Sequence, residues 1–276
     1  PCVVTLDPVT TRIDEAVDLK ELYHAFMAHP IVMGRIHGHL RDRMLVKGVK
    51  EPHLAITEMQ IFAHLTEKAR RESKVDDFAI PSIPMPATMA EALYFTLHAH
   101  ESIRLGDFVE IITHSATVNH GGGLRKHRER VYGNPVHYAH AMGAAFFGAT
   151  PVAVRLTCGT FSTSRNFGGV PVVKDAPDLD AMAAFSPDKA QLVVMLVHRS
   201  AVCGPVAVSL DLGGLKVSRE AEVLTLHGGS PGDQNMPEEP ERIVPCTSRA
   251  AVSDAACELT VEPFSLVRVT FGIAGA

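Results

Sequence analysis

The feature that most constrains this chain is a change of pattern near Ala149. Before it, strand-like apolar runs alternate with helix-like periodic ones. After it, short Val- and Leu-rich runs are cut apart by turn clusters. Alternating strands and helices make a parallel sheet with helices packed outside it. Short strands with period-two stretches make an antiparallel sandwich. Two domains are therefore expected, at residues 1–148 and 149–276.

In the first part, Val3-Val4-Thr5-Leu6 reads as a strand that ends at Asp7-Pro8, because proline cannot continue a central strand. Asp18 is placed to cap a helix over residues 19–28. Pro30 suits the first turn of a second helix. That helix carries Met33, Ile36, Leu40 and Met44 at helical spacing, and Gly48 closes it. Residues 53–57 form the next strand, stopping at Glu58. Thr88-Met89-Ala90-Glu91 has the form of a capping box for a helix reaching Leu105. Residues 108–113 are a third strand, and Asn134-Pro135 opens a last helix through Phe147. Long loops follow Glu58 and Thr113, and such loops carry the chemistry of parallel α/β enzymes. In the second part the expected strands are 151–158, 181–185, 191–198, 206–212, 222–226, 258–261 and 265–271.

Several classes of function are disfavoured. Lys and Arg number 26 against 31 Asp and Glu, a net charge of −5, so no basic face for nucleic acid is expected. The run Arg125-Lys126-His127-Arg128, interrupted by Glu129 before Arg130, reads as a solvated loop. No stretch reaches the roughly 18 to 20 apolar residues of a membrane span. No signal peptide is visible, and the chain opens Pro1-Cys2 without Met, which suggests a piece of something longer. Five cysteines stand far apart with no CxxC pair, so a zinc ribbon or redox motif is unsupported.

Glu58 is the first candidate for chemistry. It follows the buried-type strand Leu54-Ala55-Ile56-Thr57, where a carboxylate is costly unless it is used or paired. It is either functional or an ion-paired strand terminus. Asp7 holds the same place after the preceding strand. Together they have the makings of the acid and nucleophile of a retaining glycosidase, whose carboxyls stand about 5 to 5.5 Å apart. Asp7 before proline is equally a turn residue. His37/His39 and His98/His100 point apart on a helix and cannot share a metal. His114 and His120 flank a strand-end loop without a third ligand. No metal and no cofactor is expected. Gly121-Gly122-Gly123 lacks the Lys-Ser/Thr ending of a phosphate loop.

Together these stretches resemble the α-L-arabinofuranosidases of glycoside hydrolase family 51. Leu54-Ala55-Ile56-Thr57-Glu58 is similar to the family's nucleophile strand. Residues 113–124, from Thr113 through Asn119 to Leu124, resemble the segment after the last barrel strand, and Asn134-Pro135-Val136-His137-Tyr138 the final barrel helix. Gln191 to Ser200, Asn235, Pro240-Glu241 and Glu262-Pro263-Phe264-Ser265-Leu266 resemble the C-terminal β-sandwich. The resemblance implies the C-terminal portion of a (β/α)8 TIM barrel followed by an antiparallel β-sandwich. It implies a retaining hydrolase that releases terminal arabinofuranosyl units from arabinose-containing saccharides, with Glu58 as nucleophile and Asn119 and His114 lining the sugar pocket. The family's acid/base Glu lies upstream in a Gly-Asn-Glu setting, and none precedes Glu58 here. A barrel takes about 250 residues. The expected partner is accordingly the N-terminal part of the barrel, or another copy of the chain. The rival expectation is a non-catalytic carbohydrate-binding or structural relative.

Overall fold

The computed structural model describes residues 2–6, 11–13, 15–61, 63–73, 87–167 and 169–274. Its first part is built on a three-stranded parallel sheet in the order β1 (Cys2–Leu6), β3 (Leu54–Met59), β5 (Val109–Ile112). Two further short strands, β2 (Thr11–Ile13) and β4 (Ala63–Leu65), pair in parallel beside it. The loop expected after Glu58 therefore carries β4 and the short helix α2 (Glu67–Glu72). The basic run forms an exposed hairpin, β6 (Leu124–His127) and β7 (Arg130–Gly133). The sequence reading missed this hairpin because its turn, with Arg128 at φ +53°, has no glycine.

Helix α1 (Leu19–Val46) is one continuous helix of 28 residues, with Pro30 inside it. Two helices were expected because an internal proline removes a backbone donor. Here Phe26, Met27, Ala28 and Met33 are all buried around Pro30, and this packing holds the segment helical. The Asp18 cap forms as expected, accepting from Lys20 and Glu21 N–H. Helix α3 (Met89–Arg104) and helix α4 (Pro135–Gly143) complete the layer.

The second part is one continuous eight-stranded antiparallel sheet, curled like half a barrel. Its order is β13 (Val206–Asp211), β16 (Ala256–Val261), β15 (Cys246–Ser253), β14 (Glu220–His227), β17 (Ser265–Gly272), β12 (Gln191–His198), β11 (Leu179–Phe185), β8 (Thr150–Val152). A small ladder, β9 (Thr160–Phe161) with β10 (Ala176–Pro177), lies beside it. Two packed sheets were expected. The strand that joins them into one is β15, which leaves its ladder with β14 at Ala251 and pairs with β16 at Val252 and Ser253. Its hairpin turn places Asp254 and Ala255 at φ +49° and +58°, the two positive values of a type I′ turn.

β12 shows how the parts share a core. Val193, Met195 and Val197 alternate with Leu192, Val194 and Leu196, and all six are buried. Met195 and Val197 join the core of α1 and α3, whereas Leu192, Val194 and Leu196 face the inside of the curl. A strand covered on both faces reads as an unbroken apolar run.

An ionic cluster fixes α3 to the sheet. Buried Asp180 on β11 meets His100 Nδ1 at 2.6 Å and Arg104 at 2.9 Å, and buried Arg199 donates to Pro177 O at 2.6 Å. Burial by itself would raise the Asp180 carboxyl. The His100 hydrogen bond and the charges of Arg104 and Arg199 outweigh burial and hold the carboxyl at about 2. Asp180→Ala is expected to cost about 3–5 kcal/mol, because it strands buried positive charge. Urea titration followed by circular dichroism measures this. A loss within about 0.5 kcal/mol, the size of a surface change, would show that the cluster does not hold the fold.

Candidate active site

Glu58 lies inside β3, one residue before its end. Between Val4↔Ile56 and Leu6↔Met59 the register slips, so that Thr57 and Glu58 oppose a single residue of β1. This bulge decides where Glu58 points. Leu54 and Ile56 are buried, and strict alternation would put residue 58 on their face. The extra residue gives that buried place to Met59 and leaves both Thr57 and Glu58 exposed. Re-aiming a side chain is a known use of bulges.

The segment after β5 pins the bulge. Thr113 N–H donates to Ile56 O at 2.9 Å and Ser115 N–H to Met59 O at 3.0 Å. The Thr113 hydroxyl donates to Thr57 O. The Ser115 hydroxyl, itself buried, donates to Glu58 Oε1 at 2.6 Å. His120 Nδ1 stands 3.4 Å from the same Ser115 oxygen. Among the described residues Ser115 is the hydrogen-bond partner of Glu58, and it holds one carboxylate oxygen.

The remaining sequence candidates fall at different depths. His114 turns its ring inward. Its Nε2 meets Glu91 Oε1, its Nδ1 lies 3.2 Å from His140 Nε2, and Phe95 packs 5.1 Å from it. Burial, and then His120, push its pKa down to about 4. Asn119 is exposed, at φ +57°, and its Oδ1 accepts from Lys126 N–H at 2.8 Å. It therefore shapes the entrance to the β6–β7 hairpin. Asp7 lies outside the described residues. Among those described, no group of three or more His, Cys, Asp or Glu is arranged to hold a metal.

The three glycines allow this loop to close. A Cβ on Gly122 would lie 2.6 Å from Thr117 Cα. One on Gly123, at φ +90°, would lie 2.4 Å from His137 N. They serve as a tight turn against α4, in keeping with the missing phosphate-loop signature.

Sequence reasoning missed Ser115, Glu91 and His140. Glu91 was assigned to a capping box, but its carboxyl accepts from Ile61 N–H at 2.8 Å instead. The box is not made: the Thr88 side chain makes no cap hydrogen bond, and both Glu91 oxygens are taken by Ile61 N–H and His114. The signal in the sequence was a lone acid among Met89, Ala90, Ala92 and Leu93.

Glu58 is thus an exposed carboxylate near the C-terminal end of a parallel strand. The family profile of the alpha-L-arabinofuranosidase C-terminal domain matches residues 69–265. The chain belongs to that family. No curated protein matches it in sequence. Solved structures share its fold. The GH51 arabinofuranosidase from Xanthomonas axonopodis pv. citri is 14% identical with a TM-score of 0.73, over 98% of this chain and 52% of that one. The alpha-L-arabinofuranosidase from Thermotoga maritima, in an arabinose complex, is 18% identical with a TM-score of 0.69, over 98% and 57%. The thermostable GH51 enzyme from Thermotoga petrophila RKU-1 is 18% identical with a TM-score of 0.69, over 97% and 56%. The chain thus spans about half the length of these relatives.

Proposed function

We propose that this chain is the nucleophile-bearing C-terminal part of a retaining α-L-arabinofuranosidase. In this reading residues 1–148 are the end of a TIM barrel and residues 149–276 the curled antiparallel domain that follows it. The observation that carries the proposal is the bulge that exposes Glu58 at the end of the central parallel strand and hands one of its oxygens to Ser115. Family membership supplies the substrate class.

The chemistry follows from one anchored carboxylate. The Glu58 carboxylate attacks the anomeric carbon and forms a glycosyl ester while the bond to the leaving oxygen breaks. A second carboxylic acid protonates that oxygen. The resulting carboxylate then takes a proton from water, which attacks the anomeric carbon and releases Glu58. An upstream part of the barrel, for which the greater length of the relatives leaves room, supplies that second group. It also covers β1 and β5, which carry no further strand among the described residues. In this reading the loop that carries Asn119 and His114 lines the sugar pocket, with the His114 ring turned inward beneath it.

A mechanism-based arabinofuranosyl inhibitor tests the assignment on the complete enzyme. Peptide mapping is expected to find the covalent adduct on Glu58. An adduct on another carboxylate would overturn the proposal.

A further inference from the structure

We propose that Glu91 is the positioning residue of the Glu58 site, a brace that locks together the two strand-end segments on which Glu58 and Ser115 are carried. The inference rests on the reading of Glu58 as nucleophile.

Glu91 is fully buried in the first turn of α3. Such a group is costly unless its oxygens are satisfied. The needs of its own helix do not account for it, since neither oxygen turns back to the helix start. Instead it joins two loops. Oε2 accepts from Ile61 N–H, three residues after Glu58. Oε1 meets His114, one residue before Ser115. The span from Glu58 to Ser115 is thus closed twice, by their direct hydrogen bond and by Glu91 beneath it.

His114 has no other place to go. Phe95, one turn along α3 from Glu91, packs on its ring, and His140 of α4 meets its far nitrogen. A Cβ on Gly121 would lie 2.9 Å from its ring. Displacing the Glu91 end would therefore move Ser115 with the loop.

The protonation pattern fits a neutral brace. Burial raises the Glu91 carboxyl well above its ordinary range, and lowers His114 and His140 to about 4 each. His120 acts on His114 from the loop, and His114 and His137 act on His140. A carboxyl whose protonated form is favoured by burial, facing rings whose neutral form is favoured, matches an arrangement in which Glu91 donates to His114 Nε2. His114 Nδ1–H then donates to His140 Nε2. Every oxygen and ring nitrogen in the chain from Ile61 N–H to His140 Nε2 has a matched partner.

This makes a sharp distinction among substitutions. Glutamine has the same length and can both accept from Ile61 and donate to His114. Aspartate keeps the acid but is one methylene too short to reach both. In the complete enzyme, Glu91→Gln is expected to stay within about threefold of wild type in kcat/KM. Glu91→Asp and Glu91→Ala are expected to lose about 10²-fold in kcat with little change in KM, the scale of a catalytic group misplaced by about 1 Å. Circular dichroism at the assay temperature confirms that each variant is folded. Should the alanine variant not fold, the Gln and Asp pair decides. A folded Asp variant with wild-type kcat, or a Gln variant as impaired as Asp, would overturn the brace. Glu58→Gln, run alongside, reads the nucleophile assignment separately. If it is fully active, that assignment fails and the brace with it. If it is dead while every Glu91 variant is unchanged, only the brace fails.

Discussion

Glu58→Gln in the complete enzyme is expected to leave the fold intact and to lower turnover of an aryl α-L-arabinofuranoside by about 10⁴- to 10⁶-fold, the scale on which removal of a nucleophile acts. The amide is isosteric, and its oxygen can still accept from the Ser115 hydroxyl that now holds Oε1 at 2.6 Å. Glu58 is exposed, so no core packing changes, and melting temperature and arabinose binding should stay close to wild type. What is lost is the negative charge and the ability to form a glycosyl ester that water can hydrolyse. Glu58→Gly gives a complementary readout. It opens space for azide, which should restore turnover and yield an arabinosyl azide of inverted configuration. Near-wild-type turnover by the Gln variant would remove Glu58 from the mechanism.

How far the site could be read beforehand depended on which interactions were local. The position of Glu58 at the end of an apolar strand is a local property, and the parallel strands on either side fell close to where the apolar runs place them. Its exposure was not legible, because it depends on a bulge set against β1. Glu91 shows the converse. The spacing Thr88-x-x-Glu91 is identical whether the acid caps its helix or reaches a distant loop, and only partners distant in sequence, Ile61 N–H and His114, decide between them. Strands β12 and β17 were found almost to the residue, because they are apolar on faces buried by different layers. Strand β15 was missed. Its sequence, Cys246-Thr247-Ser248-Arg249-Ala250-Ala251-Val252-Ser253, is largely exposed, and its place in the sheet is set by its neighbours' unpaired edges. Pro30 misled for a related reason: its local cost is real, but burial of the residues around it prevails.

The largest effect of solution conditions is expected from buried histidine. His24 and His29 of α1 both have pKa values of about 4, lowered chiefly by burial. His24 is shielded by Phe161 stacked at 4.2 Å, and its Nε2 accepts from Ala201 N–H at 2.8 Å, a bond that protonation would destroy. Asp178, Asp18 and Glu21 offset its burial only in part. His29 lies against Tyr94, at 2.9 Å, and His98 of α3, with His37 acting on it from its own helix. His37 and His98 are lowered as well, again by burial first. A folded pKa below the unfolded one means that the unfolded chain binds more protons, so stability falls as pH falls from about 6.5 towards 4. His24 and His29 would each give up on the order of 3 kcal/mol over that window. Two such losses are a large share of the 5–15 kcal/mol by which a domain is ordinarily stable. Glu91 and Glu101 act in the opposite direction, since burial raises both carboxyls and favours their protonation in the folded state. Asp180 loses its contribution only below 3.8, as pH falls towards its folded value of about 2. The histidines outnumber the opposing acids, so the urea midpoint should drop as pH falls from about 6.5 towards 4. The chain has no Trp, and circular dichroism is the suitable probe. His29→Gln, which keeps a polar partner for the Tyr94 hydroxyl without a titrating ring, should flatten the curve. A urea midpoint constant across this range would show that these histidines take up protons without leaving their sites, and would refute the argument.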